Sequence, residues 1–222
     1  GRVAPCRRLT SAFLTTPGGA TRVRGNRGVL LIVGTEKGAF LVRGDEARAR
    51  WRVEGPIFKG WKVTAAARDP GGRYFLGVAS PVYGPTIQLS DDLAAWRQAP
   101  GGPSYPQGGT RKLTQIWRVH TEGPTLLAGV GEAGLFTSED RGESWKPVDG
   151  LNEHETREAW VPGAGGLCAH SILTDRRNPR RLWCGISAVG VFRTEDGGRT
   201  WHLRNQGVSV TIEDKVRKDV GY

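Results

Sequence analysis

The chain has 222 residues, of which 33 are glycine and eight are tryptophan, and its formal net charge is +10 at pH 7. No apolar run reaches the length of about 18 residues that a membrane-spanning helix needs, and three cysteines are too few for a disulfide framework. The composition therefore excludes a membrane helix bundle and a disulfide-rich scaffold. It is typical of a turn-rich all-β protein.

Residues 1–28 form a basic leader that we expect to be disordered or to add an edge strand. The segment holds six arginines and no acidic residue, so it supplies six of the ten net positive charges. Such an arm can attract phosphate groups, but it lacks regularly interleaved aromatic residues, which argues against nucleic acid as a partner. Its apolar run at residues 11–14 is too short for a secretion signal, so we expect a cytoplasmic protein with no membrane partner.

Residues 29–207 contain a series of short β-strands that repeats along the chain. Trp51, Trp96, Trp145 and Trp201 mark the repeat, with spacings of 45, 49 and 56 residues. Apolar runs at residues 29–33, 125–128 and 181–184 and candidate first strands at 63–67, 116–120 and 170–173 fill the units. A four-stranded meander with a tryptophan on its last strand predicts a β-propeller blade.

Two near-copies of the pattern S/T-x-D-x-G-x-S/T-W end the third and fourth units. Their aspartates can accept hydrogen bonds from backbone N–H groups ahead of them, and their glycines supply the positive φ of a tight turn. We therefore expect a structural role for Ser138, Asp140, Gly142 and Trp145, for Thr194, Asp196, Gly198 and Trp201, and for Ser90, Asp92 and Trp96 of a third copy. That third copy is one residue shorter and lacks the glycine, so its turn is expected to be looser.

This motif resembles the Asp-box, or bacterial neuraminidase repeat, of the sialidase-like propeller superfamily, which also includes sortilin-type receptors and photosystem assembly factors. More narrowly, residues 31–207 resemble bacterial propeller proteins labelled glycosyl hydrolase or exo-sialidase. Residues 33–38, 54–61, 80–86, 162–168 and 170–172 carry this likeness. It implies an all-β propeller of four-stranded antiparallel blades, while the hydrolase label of that group rests largely on the shared repeat.

About four blades fit into the chain, so we expect either an incomplete propeller or a four-bladed one. The tail at residues 208–222 does not resemble a fifth blade, and residues 208–212 are the best candidates for pairing with an open blade edge. An incomplete arc would self-associate through its edges, whereas a closed ring would be a monomer.

In a propeller, the connections between blades and the second hairpin of each blade open at the same end. The connections at residues 97–113 and 147–167 are long, and long ordered loops commonly carry function. We expect an aromatic-lined face with a few charges there, suited to a sugar or a peptide segment. Its candidate residues are Lys59, Trp61, Tyr83, Lys112, Trp117, Glu132, Glu158, Trp160 and His170. The alternative for Trp61, Trp117 and Trp160 is that they fill gaps between blades.

Catalysis is the alternative to binding. For a sialidase, the resemblance implies an arginine trio, a tyrosine and glutamate nucleophile pair and an aspartic acid proton donor, but the early Arg-Ile-Pro signature is missing from this sequence. Tyr83 with Glu132 or Glu158 could imitate the nucleophile pair, and Cys168 with His170 could act as nucleophile and base. No motif singles these residues out.

We therefore expect a glycan-binding or protein-binding scaffold, with an exo-glycosidase and an assembly factor that docks protein partners as the alternatives. Four histidines without paired spacing predict no metal site, and no cofactor is expected. Cys168 and Cys184 are expected to form a reduced, buried pair rather than a disulfide.

Overall fold

The computed structural model describes residues 28–123, 125–208, 210–212 and 215–217, and these residues form four blade-like antiparallel sheets and a separate hairpin. Blade 1 contains β1 (Val29–Thr35), β2 (Gly38–Gly44) and β3 (Trp51–Ile57). Blade 2 contains β4 (Lys62–Arg68), β5 (Tyr74–Ser80), β6 (Gly84–Ser90) and β7 (Arg97–Gln98), and blade 3 contains β8 (Ile116–His120), β9 (Leu126–Val130), β10 (Leu135–Ser138) and β11 (Lys146–Pro147). Blade 4 contains β12 (Ala169–Thr174), β13 (Leu182–Ile186), β14 (Gly190–Thr194) and β15 (His202–Leu203). The predicted all-β propeller architecture is confirmed. The expectations for residues 1–27 lie outside the described residues.

Blade 1 begins with the counterpart of a second strand. Gly34 of β1 pairs with the next strand in the same way as Gly129 of β9 and Gly185 of β13. Blades 2, 3 and 4 each have a further strand on the inner side, namely β4, β8 and β12. Within the described residues, blade 1 therefore has three strands and a free inner edge at β1.

The inner strands stand side by side, because β4 packs against β8, β8 packs against β12, and β1 packs against β4. An apolar cluster fills each space between successive blades. Leu41 and Tyr74 lie between blades 1 and 2, Phe75 and Phe136 between blades 2 and 3, and Leu135 and Phe192 between blades 3 and 4. The chain is therefore an arc of blades held together by burial of apolar surface.

Each blade ends in a hairpin turn built around an aspartate, and the turn of blade 3 shows the geometry. Asp140 Oδ1 accepts the backbone N–H of Ser144 at 2.9 Å, and Ser138 Oγ accepts that of Gly142 at 2.9 Å. The indole N–H of Trp145 donates to the Gly142 carbonyl at 3.2 Å. Gly142 has a φ of 85°, a conformation that costs glycine little.

Blade 4 repeats this turn. Asp196 Oδ1 accepts the N–H of Thr200 at 3.0 Å, and the indole N–H of Trp201 donates to the carbonyl of Gly198 at 3.0 Å. Thr194 Oγ1 accepts the N–H of Gly198 at 3.0 Å. The hydrogen bonds expected for both aspartates are thus present, and the two tryptophans are buried against their blades.

The turn of blade 2 keeps this geometry without a glycine. Leu93 takes the glycine's place with a φ of 68°, and its carbonyl accepts the indole N–H of Trp96 at 3.2 Å. Asp92 accepts the N–H of Ala94 at 2.8 Å, and Ser90 Oγ accepts that of Leu93 at 2.8 Å. The expectation of a looser turn is therefore wrong, because the hydroxyl, carboxylate and indole hydrogen bonds are all made and Leu93 is buried at its positive φ.

A fourth turn of the same kind, which the sequence did not predict, closes blade 1. Asp45 Oδ1 accepts the N–H of Ala49 at 2.8 Å, and the indole N–H of Trp51 donates to the carbonyl of Arg48 at 3.0 Å. Arg48 has a φ of 57°. We call these four turns, centred on Asp45, Asp92, Asp140 and Asp196, the aspartate turns.

The aspartate turns lie at one end of the blades, the hairpin end. At the opposite end, the loop end, the connections between blades meet the turns that join second and third strands. The N–H of Gly60 donates to the carbonyl of Lys37 at 3.1 Å, and the hydroxyl of Tyr105 donates to the carbonyl of Gly131 at 2.9 Å. The prediction that these two kinds of loop share one end is confirmed.

The C-terminal part of the described chain forms a hairpin of its own. Its strands β16 (Val210–Ile212) and β17 (Lys215–Arg217) pair with each other, and no ladder joins them to a blade within the described residues. The pairing expected between residues 208–212 and a blade edge is therefore not what this segment forms here.

Two short helical segments, α1 (Asp149–Asn152) and a 3-10 turn (Arg157–Ala159), lie in the connection between blades 3 and 4. Among the described residues, no helix has the length and apolar character needed to cross a membrane.

Candidate functional site

The inner strands of blades 2, 3 and 4 share a β-bulge at the same place. The register shifts between Val63 and Ala65, between Ile116 and Arg118, and between Ala169 and Ser171. The residues inserted by these bulges are Thr64, Trp117 and His170. A bulge redirects the side chain of the inserted residue, and bulges are frequent beside functional sites.

These three residues occupy equivalent positions. In each blade the residue just before the bulge pairs with the residue that follows a glycine of the second strand, and these glycines are Gly77, Gly129 and Gly185. Because β4, β8 and β12 are neighbours, the three inserted residues form one level along the inner strands. We call Thr64, Trp117 and His170 the inner wall.

The side chains of the inner wall differ in how they are held. Thr64 Oγ1 donates to the carbonyl of Ile116 at 2.6 Å, so it ties blade 2 to blade 3. Trp117 is partly exposed and His170 is exposed, and neither belongs to the apolar clusters between described blades. Nδ1 of His170 and Oγ of Ser171 share a hydrogen bond of 2.8 Å. The indole of Trp117 is thus partly accessible to a ligand, and the exposed imidazole of His170 is accessible to one.

A second group of aromatic side chains lies at the loop end between blades 1 and 2. The rings of Phe58 and Trp61 are stacked with centroids 5.7 Å apart, and the ring of Tyr83 is 6.4 Å from that of Trp61. Tyr83 is 75% exposed, which makes its ring accessible to a ligand. Lys59, between Phe58 and Trp61 in the chain, is also exposed. We call Phe58, Lys59, Trp61 and Tyr83 the aromatic ledge.

Sequence reasoning did not single out Phe58, although it lies within the family-like segment 54–61. Its φ of 55° is unusual for a bulky residue. Phe58 also touches Trp96 of blade 2, with ring centroids 5.9 Å apart. Phe58 therefore packs the aromatic ledge against blade 2. This structural role follows from the contact with Trp96 and could not be inferred from the sequence.

At the loop end of blade 3, a tight turn is held by an arginine. Glu132 and Ala133 have φ values of 56° and 51°, and Arg157 donates to both of their carbonyl oxygens. The guanidinium of Arg157 also lies 4.4 Å from the centroid of the Trp160 ring. Burial lowers the pKa of Arg157, and burial raises the pKa of the neighbouring Tyr105 phenol to about 12.

Trp160 is buried between blades 3 and 4. It is 6% exposed and belongs to the apolar cluster between blades 3 and 4, where its ring lies 5.1 Å from that of Phe192. Its indole N–H donates to Thr156 Oγ1 at 2.9 Å. This packing supports the alternative given for Trp160, that it fills a gap between blades, rather than a place in a binding face.

The other predicted residues lie at different places along the loop end. Glu132 is half-buried, while Glu158 and Lys112 are exposed on the connections. Lys59, Trp61 and Tyr83 form the ledge, and Trp117 and His170 belong to the inner wall. Whether the ledge, the inner wall and Glu158 face one concave region stays a prediction.

The alternative pairing of Cys168 with His170 as nucleophile and base gains no support. Burial raises the pKa of the Cys168 thiol, and the thiol donates to the carbonyl of Gly165 at 3.1 Å. Cys168 and Cys184 are both free and buried. Among the described residues, no group of three or more His, Cys, Asp or Glu side chains is placed to hold a metal ion.

No family model and no curated protein matches the chain. Solved structures resemble its fold. The GH74 xyloglucanase from Xanthomonas campestris has a TM-score of 0.52 and 20% identity, over 78% of this chain and 28% of that one. YCF48 bound to D1 peptide has a TM-score of 0.51 and 15% identity, over 81% of this chain and 51% of that one.

YCF48 from Cyanidioschyzon merolae gives a TM-score of 0.50 and 13% identity, over 84% of this chain and 59% of that one. The chain thus spans between 28% and 59% of the length of these proteins. At such identities the likeness establishes the fold alone, which is that of a β-propeller.

Proposed function

We propose that the chain is a sialidase-like Asp-box propeller that acts as a binding or scaffold module, with its ligand contacting the inner wall and the loop end. The four aspartate turns support the Asp-box assignment, because in each of them the aspartate accepts a backbone N–H and the tryptophan indole donates to a backbone carbonyl. These aspartates are used by their own turns and are not available to a ligand.

The observation that carries the proposal is the equivalent bulge in three successive blades. The backbone is the same at each, yet the inserted residues are threonine, tryptophan and histidine. One of them links two blades, while Trp117 and His170 lie outside the described apolar clusters. Trp117 and His170 thus differ in side chain at one backbone position and lie outside the described apolar clusters, so they are suited to contact a ligand.

The chemistry of the ligand follows from these side chains. An indole and a phenol ring suit the apolar face of a sugar or the side chains of a peptide, and an imidazole and the ammonium of Lys59 add hydrogen-bond donors. We therefore propose a glycan or a protein segment as the ligand. Docking of protein partners, as in an assembly factor, gains support from the propeller of similar fold that was solved with a bound peptide.

Calorimetric titration with soluble oligosaccharides and with a peptide library tests the proposal. Once a ligand is found, Trp117→Ala and His170→Ala should each weaken its binding about tenfold or more, which corresponds to about 1.4 kcal/mol. His202, which is exposed on β15 at the hairpin end, provides the matched control. Equal affinities for His170→Ala, His202→Ala and the unaltered chain would exclude the inner wall as the site.

An exo-glycosidase is the second candidate, and Glu132 is the residue that favours it. Its carboxylate is half-buried on a turn with positive φ, and strained residues cluster at active sites. If this chain cleaves a glycosidic bond, Glu132→Gln should abolish release of reducing sugar while leaving thermal stability unchanged. Activity that survives this change would remove Glu132 from the mechanism.

We also propose a cytoplasmic location. Its support is the pair Cys168 and Cys184, whose thiols are free and buried in neighbouring parts of blade 4.

A further inference from the structure

A buried histidine at the hairpin end of β8 joins blade 3 to blade 4. His120 is 3% exposed, and Leu127, with which it pairs, belongs to the apolar cluster between these two blades. Nε2 of the His120 ring lies 2.7 Å from Oγ1 of Thr174, the last residue of β12. The same nitrogen lies 3.1 Å from the carbonyl oxygen of Glu122, in the turn that follows β8. A polar contact thus joins the two inner strands beside their apolar interface.

The equivalent contact between blades 2 and 3 uses a backbone group instead of a histidine. Thr121 and Thr174 hold equivalent positions, because each comes three residues after the residue that pairs with the glycine of its second strand. The hydroxyl of Thr121 donates to the carbonyl of Arg68 in blade 2 at 2.9 Å. A backbone carbonyl does not titrate, whereas an imidazole changes its charge near neutral pH. Of these two links, the one between blades 3 and 4 is therefore the one that responds to pH.

The neutral ring of His120 carries its hydrogen on Nε2, because the nearby carbonyl of Glu122 is an acceptor only. Nδ1 is buried, and no described residue offers it a hydrogen-bond partner. A hydrogen on Nδ1 would therefore be a buried donor without an acceptor, which is costly. Since a second proton binds at Nδ1, protonation of the ring creates this unpaired donor as long as the two blades stay in contact.

The charged groups that face His120 do not remove this cost. Burial lowers the pKa of the imidazole, and the Arg118 guanidinium on the same strand lowers it further. Glu122 acts in the opposite direction, but its carboxylate is exposed and lies 4.0 Å from Arg176 of blade 4. Thr174 of β12 and the residue of β9 that pairs with His120 are uncharged. The protonated ring is thus less stable in this place than in water.

We propose that His120 is a pH-sensitive link between blades 3 and 4. In its neutral form the ring holds the end of β12 through Thr174, and the blades stay in contact at the hairpin end. When the ring gains a second proton, it leaves its buried place so that water can accept from Nδ1, and the contact with Thr174 opens.

The pH range of the opening follows from the two states of the ring. A histidine in the open or unfolded chain has a pKa near 6.5, and the closed state holds the pKa of His120 below its ordinary value. The stability that the neutral ring contributes is therefore present above about pH 6.5 and is lost as the pH falls below it. The aspartate turns respond in a lower range, since the pKa of Asp140 is about 2.

The opening affects the strand that carries part of the inner wall. His170 lies on β12, four residues before Thr174. The link itself acts through the packing of two blades and is independent of any ligand at the inner wall.

Hydrogen exchange of the full chain at pH 7.5 and pH 5.5, corrected for the intrinsic pH dependence of amide exchange, tests the proposal. Peptides that cover residues 119–123 and 170–175 should open more often at pH 5.5, by up to about tenfold, because opening takes up one proton. Peptides of β4 in blade 2 should exchange at the same corrected rate at both pH values.

Two matched variants identify the group that responds. His120→Gln keeps an amide donor close to the position of Nε2 and does not titrate, so its corrected exchange should be the same at both pH values. His202→Gln removes an exposed histidine at the same end of the blades and should keep the response of the unaltered chain.

An NMR titration of the unaltered chain gives a second measurement, which also serves if His120→Gln does not fold. The imidazole of His120 should titrate below pH 6.5, the value of an unfolded histidine. Titration at or above that value would overturn the proposal. Faster corrected exchange at pH 5.5 that persists in a folded His120→Gln variant would do the same, as would equal acceleration in all blades.

Discussion

At the hairpin end, four turns of different sequence share two hydrogen bonds: a backbone N–H donates to the aspartate, and the indole N–H of the tryptophan donates to a backbone carbonyl. At the inner wall, by contrast, three bulges of the same strand register carry three different side chains. Asp45 and Asp196 illustrate the first case, since each accepts a backbone N–H four residues ahead. Trp117 and His170 illustrate the second. Local hydrogen bonds therefore hold the turns of each blade in one geometry. The residues inserted at the bulges take no part in these bonds, and their side chains differ from blade to blade.

Ion pairs extend this contrast at the hairpin end. Arg73, which is largely buried, contacts Asp91 of its own blade and Glu143 of the next. Arg141 contacts the buried Asp69 of the preceding blade. These pairs join blades 2 and 3 through charge, in addition to the apolar cluster between them. The hairpin end is therefore a structural end, and we expect its variants to change stability before they change binding.

The largest effect is expected from Gly129→Ala. The added methyl would lie 2.0 Å from the carbonyl oxygen of Ala169, so blades 3 and 4 would have to separate. We expect a loss of about 3 kcal/mol or more in the free energy of unfolding, measured by urea denaturation. Gly102→Ala provides the control, because a methyl added there would meet no other atom within 4 Å. Similar midpoints for the two variants would contradict the close approach of these blades.

Asp140→Ala is expected to have the next largest effect. It leaves the N–H of Ser144 without its acceptor and removes the partner of the Ser138 hydroxyl. The free energy of unfolding should fall by about 1 to 3 kcal/mol. The neighbouring exposed carboxylate gives the matched control, Glu139→Ala, which should change stability by about 0.5 kcal/mol or less. An equal loss in both variants would mean that the aspartate turn does not stabilise the blade.

Acid should weaken the hairpin end selectively. The hydroxyl and N–H of Ser144 lower the pKa of Asp140 to about 2, and the N–H of Thr200 lowers that of Asp196. Since an unfolded aspartate titrates near pH 3.9, these carboxylates stabilise the fold above that pH. Their contribution is lost as the pH falls from about 4 to about 2. Thermal melts across this range should show a steeper loss for the unaltered chain than for Asp140→Asn.

The sequence predicted the parts of the molecule that depend on neighbouring residues. The turns of Asp140 and Asp196 follow from a short motif, because each hydrogen bond spans at most four residues. The choice between the two roles considered for Trp160 could not be made in this way, since its burial depends on Phe192 of another blade. The bulges at Trp117 and His170 were also hidden, because a bulge is a property of strand pairing and leaves no mark in a single strand.

The smallest effect on stability is expected from His170→Ala, and it is the change that tests the comparison most directly. His170 is exposed, and its described side-chain hydrogen bond is to the adjacent Ser171. Removing it should shift the free energy of unfolding by about 0.5 kcal/mol or less. Thr64→Val, at the equivalent bulge, removes a hydrogen bond that joins two blades and should cost about 1 kcal/mol. If His170→Ala proved as destabilising as Thr64→Val, the imidazole would have a structural role. The proposal that the inner wall carries variable side chains that select a ligand would then be wrong.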